Sequence, residues 1–159
     1  MRGRPITCCF TGHRPGKLPW GFNEADPRCT ALKRKIADAV DSAYQSGYRH
    51  FICGMAQGCD FYFAEAVLAL RARCGGVTLE AAVPCPEQAA SWPRRDQTRY
   101  QALLAACDFE TLVQEHYSPG CMQRRNRYMV DHSALIIAVY DGLPGGTRQT
   151  LEYAIRQKV

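Results

Sequence analysis

Chemistry-bearing residues in this chain gather in short stretches, each placed directly after an apolar run. Gly12-His13-Arg14-Pro15 follows Ile6 to Thr11, and Gly54-Met55-Ala56-Gln57-Gly58-Cys59-Asp60 follows His50 to Cys53. Pro84-Cys85-Pro86-Glu87 follows Thr78 to Val83, and Asp141-Gly142-Leu143-Pro144-Gly145-Gly146-Thr147 follows Ala134 to Tyr140. Glycine lets a backbone come close to a ligand, and a helix start offers free N–H groups at the positive end of its dipole. Gly145-Gly146-Thr147 therefore has two readings. It is an anion cradle in which Thr147 donates to a phosphate oxygen, or a glycine turn with Thr147 as the helix cap. The Gly54 to Asp60 stretch has the same geometry, with Asp60 as a cap or as the acceptor of a ribose hydroxyl. Arg14 leaves the end of the first strand and can reach a phosphate. His13 reads as a base or as a hydrogen-bonded structural histidine.

Familiar alternatives to this chemistry do not fit. Gly12 to Lys17 has one residue too few between its glycines for a P-loop, and Leu18 stands where Ser or Thr would hold Mg²⁺. The Gly54 loop is not a Gly-x-Gly-x-x-Gly fingerprint. The nine cysteines show no Cys-x-x-Cys spacing and no zinc-like Cys/His pattern, so no metal site is expected and no cofactor is identified. They read as reduced thiols filling a core, with Cys8 and Cys9 on opposite faces of one strand. Further on, Met122, Asn126, Met129 and Val130 share a helical face. Asn126 is a polar residue on that apolar face and needs a partner, either a neighbouring loop or a ligand. Arg124, Arg125 and Arg127 point elsewhere around the helix, where a solvated face is their ordinary role.

The elements that must position these groups alternate regularly. Strands are expected at Ile6–Thr11, His50–Cys53, Thr78–Val83, Phe109–Val113 and Ala134–Tyr140. Helices are expected at Thr30–Ser46, Asp60–Arg73, Pro93–Ala106, from Ser118-Pro119 to Asp131, and at Thr147–Gln157. This order predicts an α/β fold with a mainly parallel sheet of about five strands and helices on both faces. The nearly continuous apolar run Ala134 to Val139 suits a strand buried on both sides. In such sheets ligands bind beyond the carboxyl ends of the strands, near a switch in strand order, which is where the glycines and polar groups stand.

Composition bounds the rest. The 159 residues, 47% of them hydrophobic and 22% charged, fit a single globular domain over 1–159 and exclude a disordered chain. No apolar run approaches a membrane span, and the amino-terminal segment Met1 to Arg4 with its two arginines is not followed by the apolar core of a signal peptide, so a cytoplasmic location without membrane contact is expected. Sixteen of the 20 basic residues are Arg. Guanidinium forks suit phosphates and carboxylates, although a GC-rich genome would enrich Arg as well. The net charge of +5 does not by itself imply nucleic-acid binding.

Gly12-His13-Arg14-Pro15, Gly54-Met55-Ala56-x-Gly58-x-Asp60, Tyr117-x-Pro119-Gly120-Cys121-Met122-x-x-Arg125-Asn126 and Asp141-Gly142-x-Pro144-Gly145-Gly146-Thr147 together resemble the YpsA-type proteins of the SLOG superfamily. Gln88, Trp92, Arg99 and Tyr100 match the same pattern, and the resemblance runs from about Thr11 to Ala154. The superfamily takes its name from the Smf/DprA DNA-processing proteins and the Lonely Guy phosphoribohydrolases. The resemblance implies a Rossmann-like three-layer sandwich. It also implies a pocket for a nucleotide or nucleotide-derived ligand, built from the Gly54–Asp60 and Gly145-Gly146-Thr147 loops, in a group viewed mainly as ligand sensors. With the reading of the residues, it places the ligand among Gly12, His13, Arg14, Gly54, Met55, Ala56, Gly58, Asp60, Arg125, Asn126, Asp141, Gly145, Gly146 and Thr147. Lonely Guy enzymes have Pro-Gly-Gly-x-Gly-Thr-x-x-Glu. Aligned on Thr150, the Glu position here is Tyr153, with Glu152 about 100° away around the helix.

Three functions follow. The first is binding or sensing of a nucleotide-like small molecule, with phosphate at Gly145–Thr147 and near Arg14, a ribose hydroxyl on Asp60 and a base or sugar edge on Asn126. The second is cleavage of a nucleotide N-glycosidic bond, with Asp60 or Glu152 as the carboxylate. The third is single-stranded nucleic-acid binding on a surface of Arg94, Arg95, Arg99, Arg124 and Arg127 with Trp92, Tyr100 and Tyr128. Pairing into a homo-oligomer through a helix face is also compatible with a parallel-sheet protein of this size.

Overall fold

The computed structural model describes residues 3–159; Met1 and Arg2, the latter one of the two arginines of the amino-terminal segment, lie outside the described residues. Strands and helices alternate along the chain as β1 (Thr7–Gly12), α1 (Pro27–Gln45), β2 (His50–Cys53), α2 (Cys59–Arg73), β3 (Thr78–Val83), α3 (Arg94–Ala106), β4 (Phe109–Leu112), α4 (Cys121–Asp131), β5 (Leu135–Val139) and α5 (Gly146–Arg156). All neighbouring strands pair in parallel, in the order β4-β3-β2-β1-β5. The α/β class, the five strands and the parallel sheet are as the alternating pattern predicts.

The layers follow from which side chains alternate to which face. Cys8 and Phe10 join Phe51, Leu79 and residues of α1, α2 and α3 in the larger core. Cys9, Ile52 and Ala82 face the other way, against Met129 and Val130 of α4 and Ala154 of α5. Neighbouring Cys8 and Cys9 thus serve opposite faces, as a strand requires. Phe10 stacks on Phe63 with ring centroids 4.6 Å apart; full burial of a side chain this size contributes about 1.5–3 kcal/mol. All nine cysteines are free thiols, seven of them buried. Burial pushes the Cys9 and Cys59 thiols up to about 12, which suits packing rather than nucleophilic chemistry.

Several local expectations need correction. Helix α1 starts at Pro27, not Thr30, because Asp26 caps it: its Oδ1 accepts from the Arg28 N–H at 2.8 Å, and Pro27 occupies the first turn where its missing N–H costs nothing. Helix α4 starts at Cys121, not Pro119, after Gly120 takes a left-handed φ of +85° at the cap. The apolar run Ala134 to Val139 is not a strand buried on both sides. It forms β5 at the edge of the sheet, paired with β1 alone, half-buried over most of its length and exposed at Ala138. A continuous apolar run reports β propensity and partial cover, and does not report whether a second strand lies alongside.

Sheet order creates the feature that matters for a site. From β1 the chain steps outward through β2, β3 and β4, and then returns to the opposite side of β1 with β5. The loops leaving β1 and β5 therefore diverge, which opens a crevice at their carboxyl ends.

On the α4 face, nearer the amino ends of β2 and β3, lies a buried polar cluster. The ring of His50 meets Thr78 Oγ1 at 2.7 Å through Nδ1 and Glu80 Oε1 at 2.8 Å through Nε2. Thr111 and Tyr128 donate their hydroxyls to Glu80 Oε2 at 2.8 and 2.5 Å. Although burial disfavours its charge, these hydrogen bonds hold the Glu80 carboxyl down at about 2, against an ordinary 4.5.

Candidate functional site

The β1–β5 crevice is a hollow of about 370 Å³. It lies where the strand order switches sides at β1, and four separate parts of the chain line it. From the β1 loop come Gly12, His13 and Arg14; from the β2 loop and the start of α2 come Ala56 and Asp60; from α4 come Arg125 and Asn126; from the start of α5 come Gly146 and Thr147. The remaining residues singled out in the sequence, Gly54, Met55, Gly58, Asp141 and Gly145, do not line it.

Each wall has a local reason for its shape. After β1, the carbonyl of His13 accepts from the N–H of Cys59 at 3.2 Å, so the β1 loop caps the start of α2. Gly58 permits this approach. It has a φ of +84°, and a Cβ there would meet Pro15 Cδ at 2.9 Å and the His13 carbonyl oxygen at 3.0 Å. Asp60, in the first turn of α2, turns back so that Oδ2 accepts from the Ala56 N–H at 2.9 Å, closing the loop. Met55 anchors the loop from beneath: its side chain is fully buried in the larger core, and its backbone holds a φ of +60°.

His13 joins the two sides of the crevice. It is buried; its Nε2 accepts from the Asp141 N–H at 3.1 Å, and its Nδ1 lies 3.5 Å from Thr147 Oγ1. Nε2 also lies 3.2 Å from the Asp141 carboxylate oxygen Oδ1. Asp141 in turn accepts from the Leu143 N–H at 2.9 Å, which turns the chain after β5. That hydrogen bond, with His13 nearby, holds the Asp141 carboxyl below the usual carboxylate range. Lys17 reaches across to donate to the Pro144 carbonyl at 2.9 Å. Thr147 is not the cap of α5, as one sequence reading had it. Gly145 occupies that position and supplies no side-chain cap, so the first N–H groups of α5 are left uncapped where Gly146 and Thr147 line the crevice.

The unusual group is Arg125. Sequence periodicity puts Asn126 on the inner face of α4 and the arginines elsewhere. In the structure the inner stripe is Cys121, Arg125 and Met129, with Val130, and Asn126 flanks it half-buried. The Arg125 side chain runs inward and is almost wholly buried. Its Nε donates to Asn126 Oδ1 at 2.8 Å; its Nη1 donates to the carbonyl of Gly54, to Gln88 Oε1 at 3.3 Å and to the Ala82 carbonyl at 3.5 Å. Met122 Sδ stands 3.7 Å from Nη2. All of these partners are uncharged. Gly54 makes room for the guanidinium, since a Cβ there would lie 2.7 Å from Arg125 Cζ.

Electrostatically the hollow is positive with one acidic member. Burial pushes the Asp60 carboxyl up, opposed by Arg125, the Ala56 N–H and Arg14. Burial pulls the Arg125 guanidinium down, opposed by Asp60 and reinforced by Arg14. Arg14 is exposed on the rim, within electrostatic reach of both. Two guanidiniums, a helix start and a buried carboxyl can together receive an anion beside a hydroxyl-bearing group.

Other sequence candidates fall elsewhere. Glu152 is exposed and paired with Arg148 at 2.9 Å. The proposed basic and aromatic surface does not assemble as one patch. Arg99, on α3, is bound by Glu24 and Glu65 at 2.6 Å each; Trp92 and Tyr100 pack edge to face at 5.3 Å beside the larger core; Tyr128 is held by Glu80. Arg124 and Arg127 lie on α4, across the sheet from α3. Conversely, Lys17, Gln123 and Gln149 line the hollow without being among the expected site residues. Lys17 has a signal in its place just beyond β1; Gln123 and Gln149 carry no local signal.

An α/β domain of Rossmann-like build, with an open hollow at its topological switch point, is the class that fold and site define. Within that class the chain belongs to the YspA SLOG family, whose model matches residues 8–158. It is 33% identical over 143 residues to an uncharacterized SPbeta prophage-derived protein, YoqJ, of Bacillus subtilis, covering 81% of this chain and 83% of that one. It is 25% identical over 134 residues to the UPF0398 protein YpsA of the same organism, covering 83% and 74% respectively. Among solved structures it resembles DNA processing protein A from Helicobacter pylori, described for its single-stranded DNA binding mode. The TM-score is 0.63 at 16% identity, covering 98% of this chain and 63% of that protein, so the likeness is one of fold. Among the described residues no helix is long and apolar enough to cross a membrane.

Proposed function

We propose that this protein binds a nucleotide or nucleotide derivative in the β1–β5 hollow. The observation that carries the reading is Arg125: a buried guanidinium with only uncharged hydrogen-bond partners, beside a second arginine and a helix start, in a hollow at the switch point. Burial costs this charge more than the nearby Asp60 carboxyl restores, and an anionic ligand would supply the rest. Phosphate fits between Arg125, Arg14 and the start of α5. In this reading Asp60 accepts a sugar hydroxyl, and the Asn126 amide meets a base or sugar edge. The volume falls within the range of small-molecule sites. The fold likeness to a single-stranded-DNA-binding protein is consistent with ligands built from nucleotides. Calorimetric titration with nucleoside mono- and diphosphates and ADP-ribose-like compounds tests the reading. Binding tighter than about millimolar is expected for at least one; failure of every compound overturns it.

A second reading rests on Asp60. A carboxyl raised by burial and lining a ligand hollow is suited to general acid chemistry, which would make the protein a nucleotide N-glycosidase. Release of free base from nucleoside monophosphates, lost in Asp60→Asn, would support it. Absence of release, or release that survives the substitution, sinks it.

A further inference from the structure

Beside the switch-point hollow, between α4 and α5, lies a second one of about 170 Å³, less than half as large. Gln123, Asn126 and Gln149 line both, so the two share a wall. Tyr153 lines the second. The guanidiniums of Arg127 and Arg156 lie 5.3 and 5.8 Å from its ring centroid. Neither arginine forms an ion pair with another described residue, whereas Glu152, which also lines the groove, is occupied by Arg148. The ring is fixed in place by its hydroxyl, which donates to Asp131 Oδ1 at 2.6 Å.

From this we infer that the α4–α5 groove is a base-binding subsite continuous with the phosphate-binding hollow, so that the preferred ligand contains two nucleoside units joined through phosphate. A nucleobase stacks on an aromatic ring and on arginine planes, and this groove presents both. Its wall carries three side-chain amides: Gln123 and Gln149 each offer a donor and an acceptor to a base edge, and Asn126, whose Oδ1 takes the Arg125 Nε–H, offers its donor. Its small size suits a planar heterocycle, with the linking phosphate back at Arg125 and Arg14. The inference rests on the phosphate reading given above for the larger hollow. Two kinds of molecule carry this chemistry, a free dinucleotide and a step of a single strand.

Four probes separate these possibilities: AMP, diadenosine diphosphate, a 5′-phosphorylated deoxyadenylate dinucleotide and a longer oligodeoxyadenylate. Each is titrated into the wild type, Tyr153→Leu and Arg127→Gln. The leucine keeps apolar bulk at a partly buried position, and Arg127 is exposed, so at least one variant keeps the fold. Two-nucleoside probes are expected to bind the wild type about tenfold or more tighter than AMP, from stacking of one further base. That advantage disappears in Tyr153→Leu and shrinks in Arg127→Gln, while AMP binds all three proteins alike. Tightest binding by diadenosine diphosphate identifies a free dinucleotide as the source; tightest binding by the oligomer, falling steeply with salt, identifies a strand. AMP binding without any gain from the second nucleoside overturns this inference alone, as does a gain that survives both substitutions. Failure of all four probes overturns it together with the phosphate reading.

Discussion

One turn apart, helix α4 carries two residues that serve buried charges in opposite ways. Tyr128 helps to satisfy Glu80, which also takes a hydroxyl from Thr111 and meets the ring of His50. Arg125 meets only carbonyls, amides and a thioether, and it borders an open hollow. In the first case the fold supplies the groups that hold the charge. In the second the fold supplies shape and, in Asp60, only part of a counter-charge, and leaves the rest to a ligand. The contrast separates a buried charge that belongs to stability from one that belongs to binding.

The largest effect is expected at Glu80. Glu80→Ala removes the acceptor of a buried network and should cost about 3–5 kcal/mol in urea denaturation, without weakening nucleotide binding by the protein that remains folded. The acid limb of stability tests the same group. Because its folded pKa is depressed, to about 2 from 4.5, its contribution is fully present above 4.5 and is lost as pH falls towards 2. The expected loss across that window is about 3 kcal/mol, and the slope should flatten in Glu80→Gln.

The contrast predicts the reverse pattern for Arg125→Met. Nucleotide affinity should fall about 10- to 100-fold, the worth of a charge-assisted hydrogen bond. Stability should change by less than about 2 kcal/mol, since apolar bulk replaces a buried charge that Asp60 offsets only in part. Equal losses of binding and stability would erase the distinction between the two regions. The smallest effect is expected at Arg14→Gln. This exposed rim charge should contribute roughly threefold to tenfold in affinity at low salt, fading as salt screens it; stability should not move measurably.

Much of this was legible in the sequence because it is local. Strand and helix periods identified the α/β alternation, and glycines beyond the strands marked the carboxyl edge. In the β1, β2 and β5 loops, backbone geometry and side-chain chemistry act over a few positions. What could not be read is pairwise and distant. That Ala134 to Val139 lies at an edge depends on strand order. That Arg125 turns inward depends on the carbonyls of Gly54 and Ala82 and on Gln88, all far off in the chain. Helical periodicity treats an arginine as a surface residue, so it put Asn126 on the inner face; the tertiary environment reversed the two.

The central claim is that the switch-point hollow recognises a phosphate through Arg125. Its most direct test is a paired titration of AMP and adenosine into the wild type and Arg125→Met, with urea midpoints measured alongside. The account expects AMP to bind the wild type more tightly than adenosine does, and this preference to collapse in a variant that stays folded. Equal affinity for the two compounds in the wild type, or a phosphate preference that persists without Arg125, would contradict it.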